Sequence, residues 1–199
     1  MIKIYTMKHI NKFVKLCFLG MAFLTLQSSG CKKDDEGPVI SSMIGTTGPG
    51  GGIVFYDQGY YAGGWRYLEV SYMDLAPAKW GSSGITIYAN EFPVGEGDRN
   101  NQRLLDSCLI PGETIAAQVC ANYQNNGKSD WYLPTTGDYQ KMLENLLNQG
   151  KGNFSGNEKY WTSCEGCNDV TGVTYYFALD FNGTEQRNKV YPCRAVRRF

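Results

Sequence analysis

The sequence predicts an α+β domain with a mostly antiparallel sheet. Two observations support this class. Aromatic and β-branched runs, which favour strands, lie near both ends of residues 45–199. Capped and amphipathic segments, which are typical of helices, lie between those runs. Strands at both ends of a helical middle favour the α+β class over an alternating β–α–β domain.

The first strands are predicted from two short runs. Residues 52–56 are apolar and follow a glycine cluster, and residues 65–70 are aromatic and β-branched. Gly59 and Gly63 supply turn positions between the two runs. Residues 48–52 are glycine-rich but precede a strand and lack the Lys-Ser/Thr ending of a phosphate loop. We therefore expect them to form the turn by which the chain enters the domain.

Helices are predicted in the middle of the domain. Residues 101–109 form one candidate and residues 114–123 form a second. The clearest helix begins at Thr135, because Asp138 follows at the spacing of a capping box, and it ends near Gly150, which suits a C-terminal cap. Its apolar stripe, which predicts a face packed on the core, consists of Tyr139, Met142, Leu143, Leu146 and Leu147.

The C-terminal part is predicted to return to strands. Residues 160–163 form a short strand, and residues 174–180 and 184–190 flank an Asn-Gly pair. Asn-Gly is a strong hairpin signal, so residues 181–183 are the expected turn. Residues 193–199 alternate in polarity and predict a final strand that pairs near the first.

Charge is distributed unevenly along the 199 residues, which contain 19 Lys and Arg, 19 Asp and Glu and one His. Four of the lysines and His9 lie in the first 30 residues, so their removal leaves 15 basic and 19 acidic residues, a net charge of about −4. Without His, the remainder cannot use a Ser-His-Asp mechanism or an imidazole metal ligand. A net acidic domain without a basic stretch also argues against nucleic acid as a partner.

The N-terminus has the pattern of a bacterial export signal. A basic segment precedes an apolar run at residues 16–26, which is too short for the roughly 20 residues of a spanning helix. Ser29, Gly30 and Cys31 then resemble a lipoprotein cleavage site, although Ser28 occupies the position usually held by Leu. This pattern predicts a signal peptide over residues 1–30 and a lipid on Cys31. Ordinary secretion, with Cys31 as a structural thiol, is the alternative.

The segment after Cys31 predicts a surface-displayed protein. Residues 32–36 are charged and resemble the acidic export signal of surface lipoproteins in the Bacteroidota. The following residues 38–51 are rich in Gly, Ser, Thr and Pro, and we predict a flexible tether over residues 31–44 ahead of a domain over residues 45–199. We therefore expect a protein that is lipid-anchored at the bacterial outer membrane and exposed at the cell surface.

Six segments together resemble a known family. They are residues 48–57, 64–69, 116–120, 128–134, 160–163 and 193–197. In this order they resemble the Lcl C-terminal domain family, which is named for a collagen-like bacterial adhesin, and the resemblance covers nearly all of residues 45–199.

The resemblance implies a C-type-lectin-like fold, which formylglycine-generating enzymes share. Such a fold has a small twisted antiparallel sheet, two or three flanking helices and long loops. The resemblance also implies an adhesin-like domain that binds glycans. Trp131 and Leu133, which lie in one matching segment, are interpreted as core anchors, and Asp130 as a cap for a turn. The residue pairs by which classical lectins bind calcium are absent, so calcium-dependent sugar binding is not implied.

Cysteines remain available for bridging after export. Cys17 leaves with the signal, and the domain retains Cys108, Cys120, Cys164, Cys167 and Cys193. An exported domain favours disulfides, but five thiols leave at least one unpaired. Cys164 and Cys167 form a C-x-x-C pair for which we favour structural bridging over redox catalysis or half of a zinc site. We predict neither a metal nor a cofactor.

The sequence favours non-enzymatic binding through two long loops, residues 81–100 and 151–172. Their candidate contacts with an extracellular glycan or protein are Asp98, Asn100, Asn157, Glu158, Asn168 and Asp169. An exported enzyme, which would use Cys164 and Cys167 or a pair of carboxylates, is the alternative. A passive envelope component is a third hypothesis.

Overall fold

The computed structural model describes residues 42–177 and 180–199. The predicted signal peptide, Cys31 and tether residues 31–41 lie outside the described residues. The described part is an α+β domain, as predicted. Its elements are β1 (Ile53–Ala62), β2 (Trp65–Val70), β3 (Leu75–Lys79), α1 (Gly97–Ser107), α2 (Ala116–Ala121), α3 (Thr136–Asn145), a 3₁₀ turn (Leu147–Gln149), β4 (Lys159–Glu165), β5 (Thr171–Tyr176), β6 (Phe181–Gln186), β7 (Val190–Cys193) and β8 (Val196–Arg198).

The strands form three small sheets, in the orders β1-β2-β8, β3-β7 and β4-β5-β6. Each strand pairing is antiparallel, which confirms the predicted character of the sheet. The final strand lies in the sheet of the first, with β2 between them. The β3 strand was not predicted, because its sequence contains Pro77 and two alanines and lacks a strand pattern.

The predicted position of the β5–β6 turn is wrong. Asn182 and Gly183 lie inside β6, where Asn182 pairs with Tyr175, and Gly183 does not have a positive φ. The turn comes earlier, where Asp180 has φ 46° and its N–H donates to the carbonyl of Phe177 over 3.2 Å. The hydroxyl of Tyr175 also bonds to the carboxylate of Asp180. An Asp side chain tolerates the left-handed conformation, so it can replace Asn-Gly in the turn.

The main predicted helix is confirmed with its capping box. Thr135 accepts from the N–H of Asp138 over 3.1 Å, and the Asp138 carboxylate accepts from the N–H of Thr135 over 2.8 Å. Gly150 has φ 68° and follows the 3₁₀ turn that extends the helix. Tyr139, Met142 and Leu146 are fully buried, as the stripe predicts.

Two apolar clusters form the interior. One contains Trp80, Trp131 and Trp161 and packs against α1 and α2, and the other is aromatic and packs against α3. The indole N–H of Trp80 donates to the carbonyl of Thr162 over 2.8 Å, and that of Trp161 donates to the carbonyl of Ala78 over 2.9 Å. These bonds satisfy the polar end of each large side chain, so burial costs no unpaired donor. Trp131 and Leu133 are core anchors, as predicted.

A buried ion pair joins the entry turn to the last strand. The Glu69 carboxylate accepts from the N–H groups of Gly50 over 2.8 Å and Gly52 over 2.9 Å. The guanidinium of Arg197 donates to the same carboxylate over 2.7 Å, and both side chains are almost fully buried. We call these groups, together with Asp130, the entry clamp. The glycine-rich segment forms a turn, as predicted, in which the N–H of Gly51 donates to the carbonyl of Gly48 over 2.9 Å.

Asp130 completes the entry clamp from the opposite side. It receives two hydrogen bonds from the guanidinium of Arg197, at 2.7 and 3.0 Å, rather than capping a turn as predicted. Arg197 holds the pKa of the Asp130 carboxyl below its usual value, although burial opposes that shift. A Cβ atom at Gly50 would lie 2.7 Å from the Trp131 ring, so a larger residue cannot approach the clamp. Residues from four of the six segments that resemble the Lcl family therefore contact one another in the entry clamp.

Among the described residues, no helix is long and apolar enough to cross a bilayer.

Candidate functional site

The loop between β3 and α1 is held by one fully buried arginine. Arg187 donates to the carbonyl of Ile85 over 2.8 Å and to that of Ser82 over 3.1 Å. It also donates to the carbonyl of Thr171 over 3.2 Å, so it links this loop to the start of β5. Its guanidinium lies 4.6 Å from the centre of the Trp80 ring, and this cation–π contact helps to stabilise the buried charge.

The partner of Arg187 is Glu165, at the end of β4. Their side chains are joined by a 2.6 Å hydrogen bond, and both are buried. The Glu165 carboxylate also accepts from the N–H groups of Ile87 over 2.8 Å and Tyr88 over 2.7 Å. A buried charge is tolerable only when it is paired and its other lone pairs are used, and both conditions are met here. We call Arg187 and Glu165 the loop anchor.

The loop anchor brings two loops together into one surface. The N–H of Gly84 donates to the carbonyl of Asp169 over 2.9 Å, which joins the β3–α1 loop to the β4–β5 loop directly. The side chain of Asn168 accepts from the N–H of Val170 over 3.1 Å and from the hydroxyl of Thr171 over 3.0 Å, and so orders the second loop. We call the resulting surface, residues 83–88 and 167–170, the loop face.

The loop face exposes apolar side chains although its backbone is fixed. Tyr88 is 69% exposed, and Ile85 and Val170 are 45% and 42% exposed. Tyr88 has φ 60°, a strained conformation for a residue of its size, which its N–H bond to the loop anchor helps to hold. Val170 also lines a shallow recess of about 290 Å³, together with Ser83, Gln186 and Asn188. The surface therefore combines an aromatic ring with amide and hydroxyl groups.

The predicted loop residues are divided by the structure. Asn168 and Asp169 lie on the loop face. Asn100 does not lie on a loop, because α1 begins at Gly97, and its side chain is fully buried. It accepts from the N–H of Glu91 over 3.0 Å and donates to the carbonyl of the same residue over 2.7 Å, which leaves it inaccessible to a ligand.

Asp98 also lies on α1 and not on a loop. Its side chain is partly exposed and forms an ion pair with Arg198 of β8. One of its carboxylate oxygens, Oδ1, is buried without a hydrogen-bond partner in the described part of the chain. This ion pair joins the first turn of α1 to the last strand, so the role of Asp98 is structural.

Asn157 and Glu158 lie in a second region, which is organised by another buried arginine. Arg194 donates to the Asp74 carboxylate over 2.5 Å and to the carbonyl of Ser71 over 2.7 Å. Asp74 and Glu158 both line a groove of about 650 Å³. The predicted loop 151–172 therefore does not form one surface, because strand β4 separates its two ends.

The C-x-x-C cysteines occupy different environments. Cys164 is buried, and its thiol lies 3.3 Å from the carbonyl of Glu91, whereas Cys167 is exposed on the loop face. All five domain cysteines, including Cys120 and Cys193, are free thiols in this structure, and structural bridging of Cys164 and Cys167 stays a prediction. Burial raises the pKa of the Cys164 thiol to about 11, which keeps it protonated and unreactive at neutral pH.

A buried carboxyl fixes the far end of the β3–α1 loop. Asp138 accepts from the N–H of Gly95 over 2.8 Å in addition to its bond within the capping box. Its complete burial raises its pKa to about 6, although these hydrogen bonds favour the charged form. The loop is therefore fixed at both ends, by the loop anchor and by helix α3.

Sequence reasoning located the two loops of the loop face but missed the residues that organise it. No sequence motif marks Arg187, Glu165 or Tyr88. An arginine is normally expected at the surface, so the burial of Arg187 could not be predicted from the sequence. Among residues 42–177 and 180–199, no three His, Cys, Asp or Glu side chains lie close enough to hold a metal ion. The chain matches no protein-family model and no curated protein.

Proposed function

We propose that this chain is a lipid-anchored surface protein of the bacterial outer membrane whose domain binds an extracellular glycan or protein through the loop face. The domain would act as an adhesin and not as an enzyme. Its anchor would be the lipid on Cys31, and residues 31–44 would carry the domain away from the membrane. Its net acidic charge disfavours a nucleic-acid ligand.

The observation that carries the proposal is the fixed backbone of the loop face. The loop anchor and the Gly84–Asp169 bond hold the two loops in one arrangement before any ligand arrives. Binding to a prearranged surface avoids the entropic cost of ordering loops, so more of the contact energy appears as affinity. A buried ion pair contributes little net stability, so we interpret the pair beneath Tyr88 as a means of ordering the loops for binding.

The composition of the loop face favours a glycan over an apolar ligand. An exposed tyrosine offers a flat apolar surface with a hydroxyl at its edge, which suits an amphipathic partner. Amide and hydroxyl groups of Asn188, Gln186 and Ser83 line the recess beside Val170 and can bond to sugar hydroxyls. Few polar groups beside an aromatic surface are typical of small-ligand sites.

The family resemblance supports the same proposal. Segments of the sequence that resemble the Lcl C-terminal domain meet at the entry clamp, where Glu69, Arg197, Asp130 and the glycine turn interlock. A clamp shared with the Lcl C-terminal domain family would explain why these segments resemble that family in the same order. We therefore propose a C-type-lectin-like fold, in which long loops on a small antiparallel framework bind the ligand.

The enzymatic alternative receives less support. Its thiol version needs a reactive pair, but Cys164 is buried beneath Glu91 with a raised pKa. Its carboxylate version would use the groove beside Asp74, but that carboxylate is already bound by Arg194 and by the hydroxyl of Tyr160. A carboxylate held in this way is a poor general base or nucleophile.

Glycan and matrix-protein arrays test the proposal directly. We expect the exported protein to bind a defined subset of glycans, and Tyr88→Ser to weaken that binding at least tenfold. Tyr60→Ser is the matched control, because Tyr60 is 66% exposed on β1, outside the loop face. Absence of binding on both arrays, or equal losses in the two variants, would contradict the proposal.

A further inference from the structure

Two of the five domain cysteines lie together in the core. Cys120 is on α2 and Cys193 ends β7, and both are fully buried in the cluster that contains the tryptophans. The Cys120 thiol donates to the carbonyl of Arg194, the residue after Cys193, over 3.3 Å. This contact places the Cys120 sulfur against the backbone that carries the second cysteine.

The Cys193 thiol also affects the ionisation of the Cys120 thiol. Burial raises the pKa of Cys120 well above its usual value, and the neighbouring Cys193 thiol raises it further. Neither sulfur is in contact with water, because both cysteines are 0% exposed.

We propose that Cys120 and Cys193 form a disulfide in the exported protein. The inference rests on the export in the proposed function, because an oxidising compartment preserves structural disulfides. The two thiols would lose two protons and two electrons to a disulfide oxidant, which is cleaved to two thiols as the new S–S bond forms. The bond would join helix α2 to the C-terminal strands and so close a long loop of the chain.

The remaining cysteines have other neighbours. Cys108 contacts the side chain and carbonyl of Ser82, and Cys164 contacts Glu91. Cys167 is exposed on the loop face. One bridge therefore accounts for two of the five domain cysteines, and Cys167 is the thiol that a reagent can reach in the folded protein.

The burial of the pair determines when the bond forms. A buried thiol with a raised pKa has almost no thiolate, so it reacts slowly with an oxidant once the core has closed. Oxidation therefore accompanies folding and does not follow it. The completed bond is then shielded from reductants, which makes it a structural bond and not a redox switch.

Peptide mapping of the full-length exported protein tests the disulfide. Thiols are blocked by alkylation without reduction, and trypsin and a glutamyl protease are used together. Cleavage after Glu113 separates Cys108 from Cys120, and cleavage at Lys128, Lys189 and Arg194 releases residues 114–128 and 190–194. We expect these two peptides to be joined and to separate on reduction, while the Cys167 peptide is alkylated.

A refolding arm separates failure of the disulfide from failure of the proposed export. The full chain is refolded with reduced and oxidised glutathione, and the same mapping is repeated with Cys167→Ser as the matched control. The same joined peptides are expected in both proteins. Alkylated Cys120 and Cys193 in the refolded chain, or a bridge from either residue to another cysteine, would overturn the inference. Joined peptides in a protein that binds nothing on the arrays would leave the disulfide standing and the binding proposal refuted.

Discussion

The entry clamp and the loop anchor use the same chemistry for different purposes. In each, a buried glutamate pairs with a buried arginine and accepts two backbone N–H groups, from Gly50 and Gly52 at Glu69 and from Ile87 and Tyr88 at Glu165. The entry clamp holds Gly50 against the Trp131 ring, and Pro49 is the one exposed residue of the glycine-rich segment 48–52. The loop anchor holds residues whose side chains project outward.

The difference is the one expected if the loop face binds a ligand, as we propose, while the entry clamp maintains the fold. A buried ion pair is a costly way to gain stability, because desolvation offsets much of the attraction between its charges. The entry clamp offsets that cost by joining the first and last parts of the domain. The loop anchor orders a surface instead, and the exposed Tyr88 is the consequence. The predictions below test this division from the largest expected effect to the smallest.

Removal of the charge at the entry clamp should have the largest effect. Glu69→Gln leaves Arg197 buried without its full partner and weakens two backbone bonds, so the free energy of unfolding should fall by about 3–5 kcal/mol. Asp130→Asn is the matched control, since its side chain is 59% exposed, and should cost less than about 1 kcal/mol. Urea unfolding of both variants measures the difference, and equal losses would contradict a clamp centred on Glu69.

Disruption of the loop anchor should lower the free energy of global unfolding less than the change at the entry clamp, but it should increase local opening of the loop face. Arg187→Leu should lower the free energy of unfolding by about 2–3 kcal/mol, because the loops can open without unfolding the rest. Hydrogen exchange at the amides of Ile87 and Tyr88 should accelerate by about 100-fold, and the amides of β2 should change little. Binding on the glycan array should be lost. Unchanged exchange at the two amides would contradict the claim that the loop anchor orders the loop face.

The pH dependence of stability should carry the signature of Asp138. Its pKa is raised from 3.8 in the unfolded chain to about 6 in the fold, so the native state binds more protons between these values. The free energy of unfolding should therefore fall by about 2 kcal/mol as pH rises from 4 to 7, and the stabilisation should be fully present only below pH 4. Asp138→Asn should lose this slope when urea unfolding is repeated across the range. A variant that keeps the slope would assign it to another group.

Tyr88→Ser should show the smallest effect on stability. An exposed side chain contributes little to folding, so the free energy of unfolding should change by less than about 0.5 kcal/mol while binding falls at least tenfold. Thermal unfolding and array titration of the same preparation give both values. A large loss of stability would indicate that Tyr88 is structural.

Local signals predicted much of the fold. The capping box at Thr135 and the stripe through Tyr139 specify α3 from neighbouring residues alone. The β5–β6 turn was misplaced because Asn-Gly is a local preference, whereas register depends on the pairing of the whole hairpin and on the turn at Asp180. The β3 strand escaped prediction because β7 supplies its pairing from far along the chain.

The candidate site was harder to predict than the fold. The two loops could be identified by their length and composition, but Asn100 proved to be a buried helix residue. Arg187 could not be recognised, because its burial depends on acceptors from both loops that converge only in three dimensions. Long-range polar contacts of this kind leave no periodic pattern in a sequence.

The most direct test of the central claim is a ligand titration followed by nuclear magnetic resonance. Isotopically labelled protein would be titrated with the tightest ligand from the arrays, and chemical-shift changes would be mapped along the backbone. The loop face account predicts that the largest changes cluster at residues 83–88 and 167–170 and disappear in Tyr88→Ser. Changes that cluster instead in the groove beside Asp74, or at the tip of the β1–β2 hairpin, would contradict it.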